Sequence, residues 1–164
     1  MLLRKLRRAL QFMRLDPVSQ AVVRDRLTYL SFYKLRRIRQ ALRETRQVKG
    51  DILEFGVALG GSGIILAHAA GDQRRFVGFD VFSMIPPPTS EEDDDKSRQR
   101  DEIISSGASS GIRGDKYYGY RTDLFSEVRA AFDRHGAPVD GERVILCKGQ
   151  LEETWPTGEV DAVA

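Results

Sequence analysis

The chain has one cysteine in 164 residues, Cys147, so no disulfide can form within it. That suits a reducing compartment, and a cytoplasmic location is expected on this ground. Cys147 sits in the apolar run Val144-Ile145-Leu146-Cys147, which predicts a buried, inert thiol. No apolar run approaches the ~20 residues that a membrane-spanning helix needs. The basic N-terminus has no continuous apolar stretch and no small-residue cleavage site, so it does not read as a secretory signal. There are only two histidines, His68 and His135. The first falls within a predicted helix and the second at the end of another, where a cation suits the helix dipole; both read as structural. Also missing is the dinucleotide fingerprint Gly-x-Gly-x-x-Gly, which counts against a nicotinamide cofactor.

What is present describes an ordinary globular domain, 41% hydrophobic and 30% charged. Its net charge of +2 conceals a split: residues 1–49 carry +11 and residues 50–164 carry −9. Two readings of this split stand. The basic front packs on the acidic remainder of its own domain or of a twin subunit, or it meets an anionic partner. Within the front, Leu2, Leu6, Leu10 and Met13 recur at helical spacing among Arg4, Lys5, Arg7, Arg8 and Arg14. A weak contact with an anionic membrane surface fits this pattern, and nucleic acid is not favoured. Asp16-Pro17 reads as an N-cap followed by a first-turn proline. A helical stripe of Leu27, Leu30, Leu35, Ile38 and Leu42 follows, with Gly50 as its expected stop.

From Asp51 the pattern changes to strand, glycine turn, helix, strand. Ile52-Leu53-Glu54-Phe55 is a short strand, Gly60-Gly61-Ser62 opens a helix, and Phe76-Val77-Gly78-Phe79 is a second strand ending at Asp80. Such a βαβ unit implies a parallel sheet. Residues 83–121 form a long, lid-like insertion with some helix expected around 96–104. It holds Pro86-Pro87-Pro88, the acids 91–95 and three tyrosines. The acids read as a solvated surface run. Tyr117, Tyr118 and Tyr120 either stack on an acceptor or pack the loop onto the domain. Thr122 is the expected N-cap of a further helix that closes at Gly136. Residues 144–147 form a third strand, and Val160-Asp161-Ala162-Val163-Ala164 begins a fourth.

The chemistry concentrates at Glu54-Phe55-Gly56-Val57-Ala58-Leu59-Gly60-Gly61-Ser62. Glycines let backbone approach a ligand, and the helix N-terminus after them offers N–H groups to an anion. The spacing suits S-adenosylmethionine, which presents an amino-acid head group rather than a pyrophosphate. Glu54 is placed for the ammonium, and the Gly60 and Gly61 amides with the Ser62 hydroxyl for the carboxylate. Asp80, 24 residues beyond Gly56, is placed for the ribose hydroxyls at the carboxyl end of its strand. Gln150, just past the third strand, is placed for the adenine edge. The alternative for the turn is a plain strand–helix joint.

The run from Gly50 to Val57, Gly60-Gly61-Ser62, Gly78-Phe79-Asp80-Val81-Phe82, the prolines after it, Lys148-Gly149 and Glu153-Thr154-Trp155-Pro156 together resemble the macrocin O-methyltransferase family. The likeness covers roughly residues 27–164. It implies a class I methyltransferase: an α/β, Rossmann-like parallel sheet, here carrying an N-terminal helical cap. It further implies S-adenosylmethionine as donor, a sugar or small glycoside as acceptor, and Mg2+ bound to the acceptor hydroxyls. The family's metal ligands and catalytic acid or base lie in a His-x-Asp-x-Asp-x-Tyr type segment after the fourth strand, which this sequence does not contain. No catalytic residue and no metal ligand is therefore assigned. The sheet is expected to be incomplete, with the fourth strand beside the first, and the chain inactive and prone to self-association. The competing expectations are another Rossmann-type nucleotide-cofactor enzyme and an anionic-surface binding module built on the basic front.

Overall fold

The computed structural model describes residues 2–88 and 95–155. Three helices lead: α1 (Leu2–Met13), α2 (Pro17–Arg24) and α3 (Phe32–Glu44). Asp16 caps α2 as expected, accepting from the Ser19 amide at 3.1 Å and the Ser19 hydroxyl at 2.5 Å. The single helical stretch expected up to Gly50 is instead interrupted and ends earlier. Arg26 has φ 57°, a left-handed conformation that helices exclude, and Ser31 recaps the chain by accepting from the Lys34 amide. Helix α3 then stops at Glu44, with Thr45 as its C-cap.

The remainder alternates as the sequence predicts. Strand β1 (Ile52–Phe55), α4 (Gly61–Ala70) and β2 (Phe76–Asp80) form the βαβ unit. Helix α5 (Asp95–Ser105) and α6 (Leu124–Arg134) lead to β3 (Val144–Lys148), and α7 (Leu151–Thr154) follows. The N-cap of α6 is Asp123, one residue past the expected Thr122: its carboxylate accepts from the Ser126 amide at 3.3 Å. The short α7 was not foreseen, being a single turn with no apolar periodicity. The strands are parallel in the order β1-β2-β3, with Glu54 opposite Gly78 and Gly78 opposite Leu146. The expected fourth strand lies outside the described residues, as do four of the loop acids, 91–94.

Side-chain alternation sorts the sheet into two faces. On one face Ile52, Phe76 and Val144 meet Ile64 and Ile65 of α4 and Val128 and Phe132 of α6. Phe76 and Phe132 stack with centroids 5.9 Å apart. Leu15, Val22 and Leu35 belong to the same core, so α2 and α3 close over the sheet domain. On the other face Val77, Phe79 and Ile145 are covered by Trp155, which meets Phe79 edge-on. Cys147 lies on this side and is half-buried, less enclosed than its apolar neighbours suggested, because β3 is a sheet edge among the described residues.

The part of the insertion from residue 104 to 120 is fastened to the domain. Arg26 donates to both oxygens of Asp115 at 3.0 Å. The Tyr120 hydroxyl donates to the Ile104 carbonyl and accepts from the Ser109 amide. Tyr117 is buried. The histidines also serve as ties: His68 Nε2 donates to the His135 carbonyl at 2.6 Å, and His135 Nε2 to the Asp25 carboxylate at 3.0 Å.

Candidate functional site

The turn after β1 takes three left-handed steps in five residues: Gly56 at φ 89°, Ala58 at φ 51° and Gly60 at φ 86°. Only glycine adopts such angles without strain, which explains two of the three positions; Ala58 bears a side chain there. Its conformation is held by Asp80. One Asp80 oxygen accepts from the Ala58 amide at 2.8 Å, and the other accepts from the Phe82 amide at 2.7 Å. The Asp80 carbonyl accepts from the Gly149 amide at 3.1 Å. One residue thus ties together the loops at the carboxyl ends of all three strands.

A cavity of about 330 Å³ opens at that edge, walled by Phe55, Gly56, Asp80, Ile85, Tyr118 and Leu151 among others. Among the described residues, none beyond its chain neighbours comes within 4 Å of the place where a Cβ of Gly56 would stand, so a ligand can approach the backbone there. Asp80 is partly exposed, and each oxygen, having accepted one backbone bond, retains capacity for another. Of the three tyrosines, Tyr117 and Tyr120 pack the insertion down, whereas Tyr118 faces the cavity. Burial, with Tyr117 beside it, pushes the Tyr118 hydroxyl above its ordinary range, so it stays protonated.

Glu54 does not reach the cavity wall. It lies on the helical face of β1, beneath the first turn of α4, where a Cβ on Gly63 would come within 2.8 Å of its Oε2. That oxygen is buried and, among the described residues, has no hydrogen-bond partner. Burial raises the carboxyl to about 7, a Ser62 hydrogen bond pulls it down, and the nearby Asp80 charge raises it further. An enclosed carboxylate oxygen without a donor is a strong acceptor awaiting a cationic or N–H group.

The remaining predicted residues are placed differently from expectation. The Gly60 amide donates to the Val57 carbonyl at 2.9 Å and the Gly61 amide to the Leu27 carbonyl at 3.0 Å. Neither is therefore open to a ligand carboxylate in this arrangement. The helical cap, whose docking the sequence did not reveal, has taken the second of them. No side chain caps α4, so its first-turn donors near Ser62 remain the part of the turn suited to an anion. Gln150 is exposed and acts as the N-cap of α7, while its neighbours Gly149 and Leu151 line the cavity instead. The cavity-facing Ile85 was missed because it comes from the insertion, and Tyr118 had been offered only as one of three tyrosines that either stack on an acceptor or pack the loop. Only the general tendency of ligands to bind beyond strand carboxyl ends pointed there.

The double role of Asp80 leads to a prediction. Asp80→Ala leaves the Ala58 and Phe82 amides without their acceptor and should lower apoprotein stability by about 1–3 kcal/mol. Urea unfolding measures this. An unchanged midpoint would show that Asp80 does not brace the turn.

A parallel sheet, a glycine-rich turn into a helix, and acids at the ends of β1 and β2 define a Rossmann-like domain of the class I methyltransferase type. The chain belongs to the macrocin O-methyltransferase (TylF) family, whose model matches residues 25–164. Among solved structures it is similar to the O-methyltransferase NovP, with a TM-score of 0.62 and 24% identity over 84% of this chain. It is also similar to CalS11, a calicheamicin methyltransferase, with a TM-score of 0.51 and 19% identity over 93% of this chain. The matches cover 53% of the NovP chain and 59% of the CalS11 chain, so this sequence spans little more than half of either. No curated protein matches it.

Proposed function

We propose that the protein serves an O-methyltransferase that carries a methyl group from S-adenosylmethionine to a hydroxyl of a small molecule, a sugar or glycoside. The observation that carries this reading is the cavity at the strand ends, bounded by the open Gly56 backbone and the Asp80 carboxylate, with the orphaned Glu54 oxygen behind it. The donor supplies an electrophilic methyl on a sulfonium: the acceptor oxygen forms the new C–O bond, the C–S bond breaks with its electron pair staying on the sulfur of the thioether product, and the hydroxyl proton passes to water. Asp80 suits the ribose hydroxyls, since its oxygens accept and the ribose donates. The orphaned Glu54 oxygen and the donor's ammonium are complementary in charge. The apolar walls suit the flat adenine, and Tyr118 offers a neutral hydroxyl donor at the rim. NovP and CalS11 are by title methyltransferases, which supports the assignment of reaction class.

The Mg2+ implied by the family resemblance is not assigned to residues. Among the described residues no group of three or more His, Cys, Asp or Glu is placed to hold a metal ion.

Calorimetric titration with S-adenosylhomocysteine and with NAD, side by side, tests the proposal. The thioether should bind and NAD should not. Preference for NAD would replace the reading with a nicotinamide enzyme. Asp80→Ala should weaken the thioether by about 1–3 kcal/mol, the scale of hydrogen bonds to a charged group.

A further inference from the structure

Helix α1 carries its apolar side outward. Leu2 is 79% exposed, Leu6 58%, Leu10 47% and Met13 62%, and no residue of the helix is buried. The opposite side faces the protein: Phe12 meets the Phe32 ring at 5.9 Å, and the Arg8 guanidinium lies over that same ring. A helix that only packs on its own domain turns its leucines inward, and this one does the reverse.

Beside the end of α1 lies a second feature, a cleft of about 620 Å³ lined by Arg14, Arg36, Arg37, Arg39 and Arg43 with the exposed Tyr33. Its one carboxylate, Asp16, accepts from Ser19 and pairs with Arg39 at 3.3 Å. Among the described residues the other four arginines have no carboxylate partner. Residues 1–15 contain five cations and no acid. Arg14 follows Met13 directly and lines the cleft, so the cleft begins one residue past the end of the leucine stripe.

We propose that this surface docks the protein on an anionic phospholipid bilayer, with the leucines of α1 entering the acyl boundary and the arginines of α3 meeting lipid phosphates. An aliphatic stripe flanked by cations is the pattern of a helix lying in a membrane interface. Long arginine stems let the charge stay at headgroup level while the apolar face goes deeper. Two α1 helices placed face to face would oppose four cations to four, which disfavours a second copy as the occupant. A nucleic acid would satisfy the arginines and leave the leucines in water.

Co-sedimentation of the full chain with vesicles of phosphatidylcholine alone, or mixed with phosphatidylserine, tests this. Binding to the anionic vesicles should be at least about tenfold tighter, since each cation near such a surface contributes about fivefold. It should fall as salt shortens the screening length. Leu6→Gln with Leu10→Gln should weaken binding about tenfold or more with unchanged thermal unfolding, because both side chains are exposed. Arg36→Gln with Arg43→Gln should weaken it similarly and flatten its salt dependence. Equal binding to both vesicle types, or to neither, would overturn the proposal. So would a dimer that the leucine substitutions dissociate while vesicles are ignored. Capture on heparin without capture on vesicles would overturn it as well, and would assign the arginines to a soluble polyanion.

Discussion

Gly61→Ala is expected to destabilise the protein by about 2–4 kcal/mol, well beyond a typical first-turn substitution. A methyl group there would stand 2.4 Å from the Leu27 carbonyl oxygen and 2.8 Å from Thr28 Cβ. Both neighbours lie between α2 and α3, and the former accepts the Gly61 amide at 3.0 Å. Backbone cannot swing aside as a side chain does, so the cap must move or the hydrogen bond must stretch. Alanine's better helix propensity recovers less than about 1 kcal/mol of this. Gly63→Ala offers the contrast. Its methyl would meet side-chain atoms of Glu54 and Phe132 at 2.8 Å, groups with some freedom to yield, and the cost should be smaller. Equilibrium unfolding of both variants ranks them. A Gly61→Ala protein as stable as the parent would mean that the cap does not sit on the turn as described.

Glu54→Gln should stabilise the apoprotein above pH 7 by about 3 kcal/mol, and the gain should vanish in acid. The folded carboxyl titrates near 7 against an ordinary 4.5, so its folded pKa is raised. The stability linked to its protonated form is complete below about pH 4.5 and is lost as pH climbs through about 7. Glutamine keeps the shape and removes the titration. Asp16 and Asp140 shift the opposite way, below 3.8, so they act in a lower window. The difference between parent and variant across pH 4–8 isolates Glu54. The same substitution should weaken S-adenosylhomocysteine binding and remove its rise with pH, because only the ionised carboxylate complements an ammonium. Parallel stability curves for the two proteins would show that Glu54 is not enclosed as described.

These two positions show where sequence reading stops. Glu54 was singled out for its place before the glycine turn, yet its enclosure depends on α4 crossing directly above it. Gly61 was singled out as an anion-binding amide. The Leu27 carbonyl, 34 residues earlier, is the actual acceptor of its hydrogen bond. Nothing in the local pattern connects those two residues. At Gln150 the sequence likewise did not show the single helical turn after β3, which sets Gly149 and Leu151 on the cavity. The tyrosines divided by packing, since their closeness in the loop gave no means of telling Tyr118 from Tyr117 and Tyr120.

The sequence by itself determined the elements with strong local causes. Alternation of apolar runs and glycines set β1, α4 and β2, and Asp16-Pro17 set the start of α2. It also located Gly56 and Asp80 at the strand ends, because in a βαβ unit those positions follow from chain order alone. Only the tertiary structure decided which donors and acceptors are already taken. Asp80 turned out to brace three loops, the Gly61 amide to hold the cap, and the leucines of α1 to face outward. A hydrophobic stripe states that a face wants burial, and says nothing of what will cover it. Hydrogen-bond partners far apart in the chain meet only through the packing of whole elements, so no window of sequence contains them.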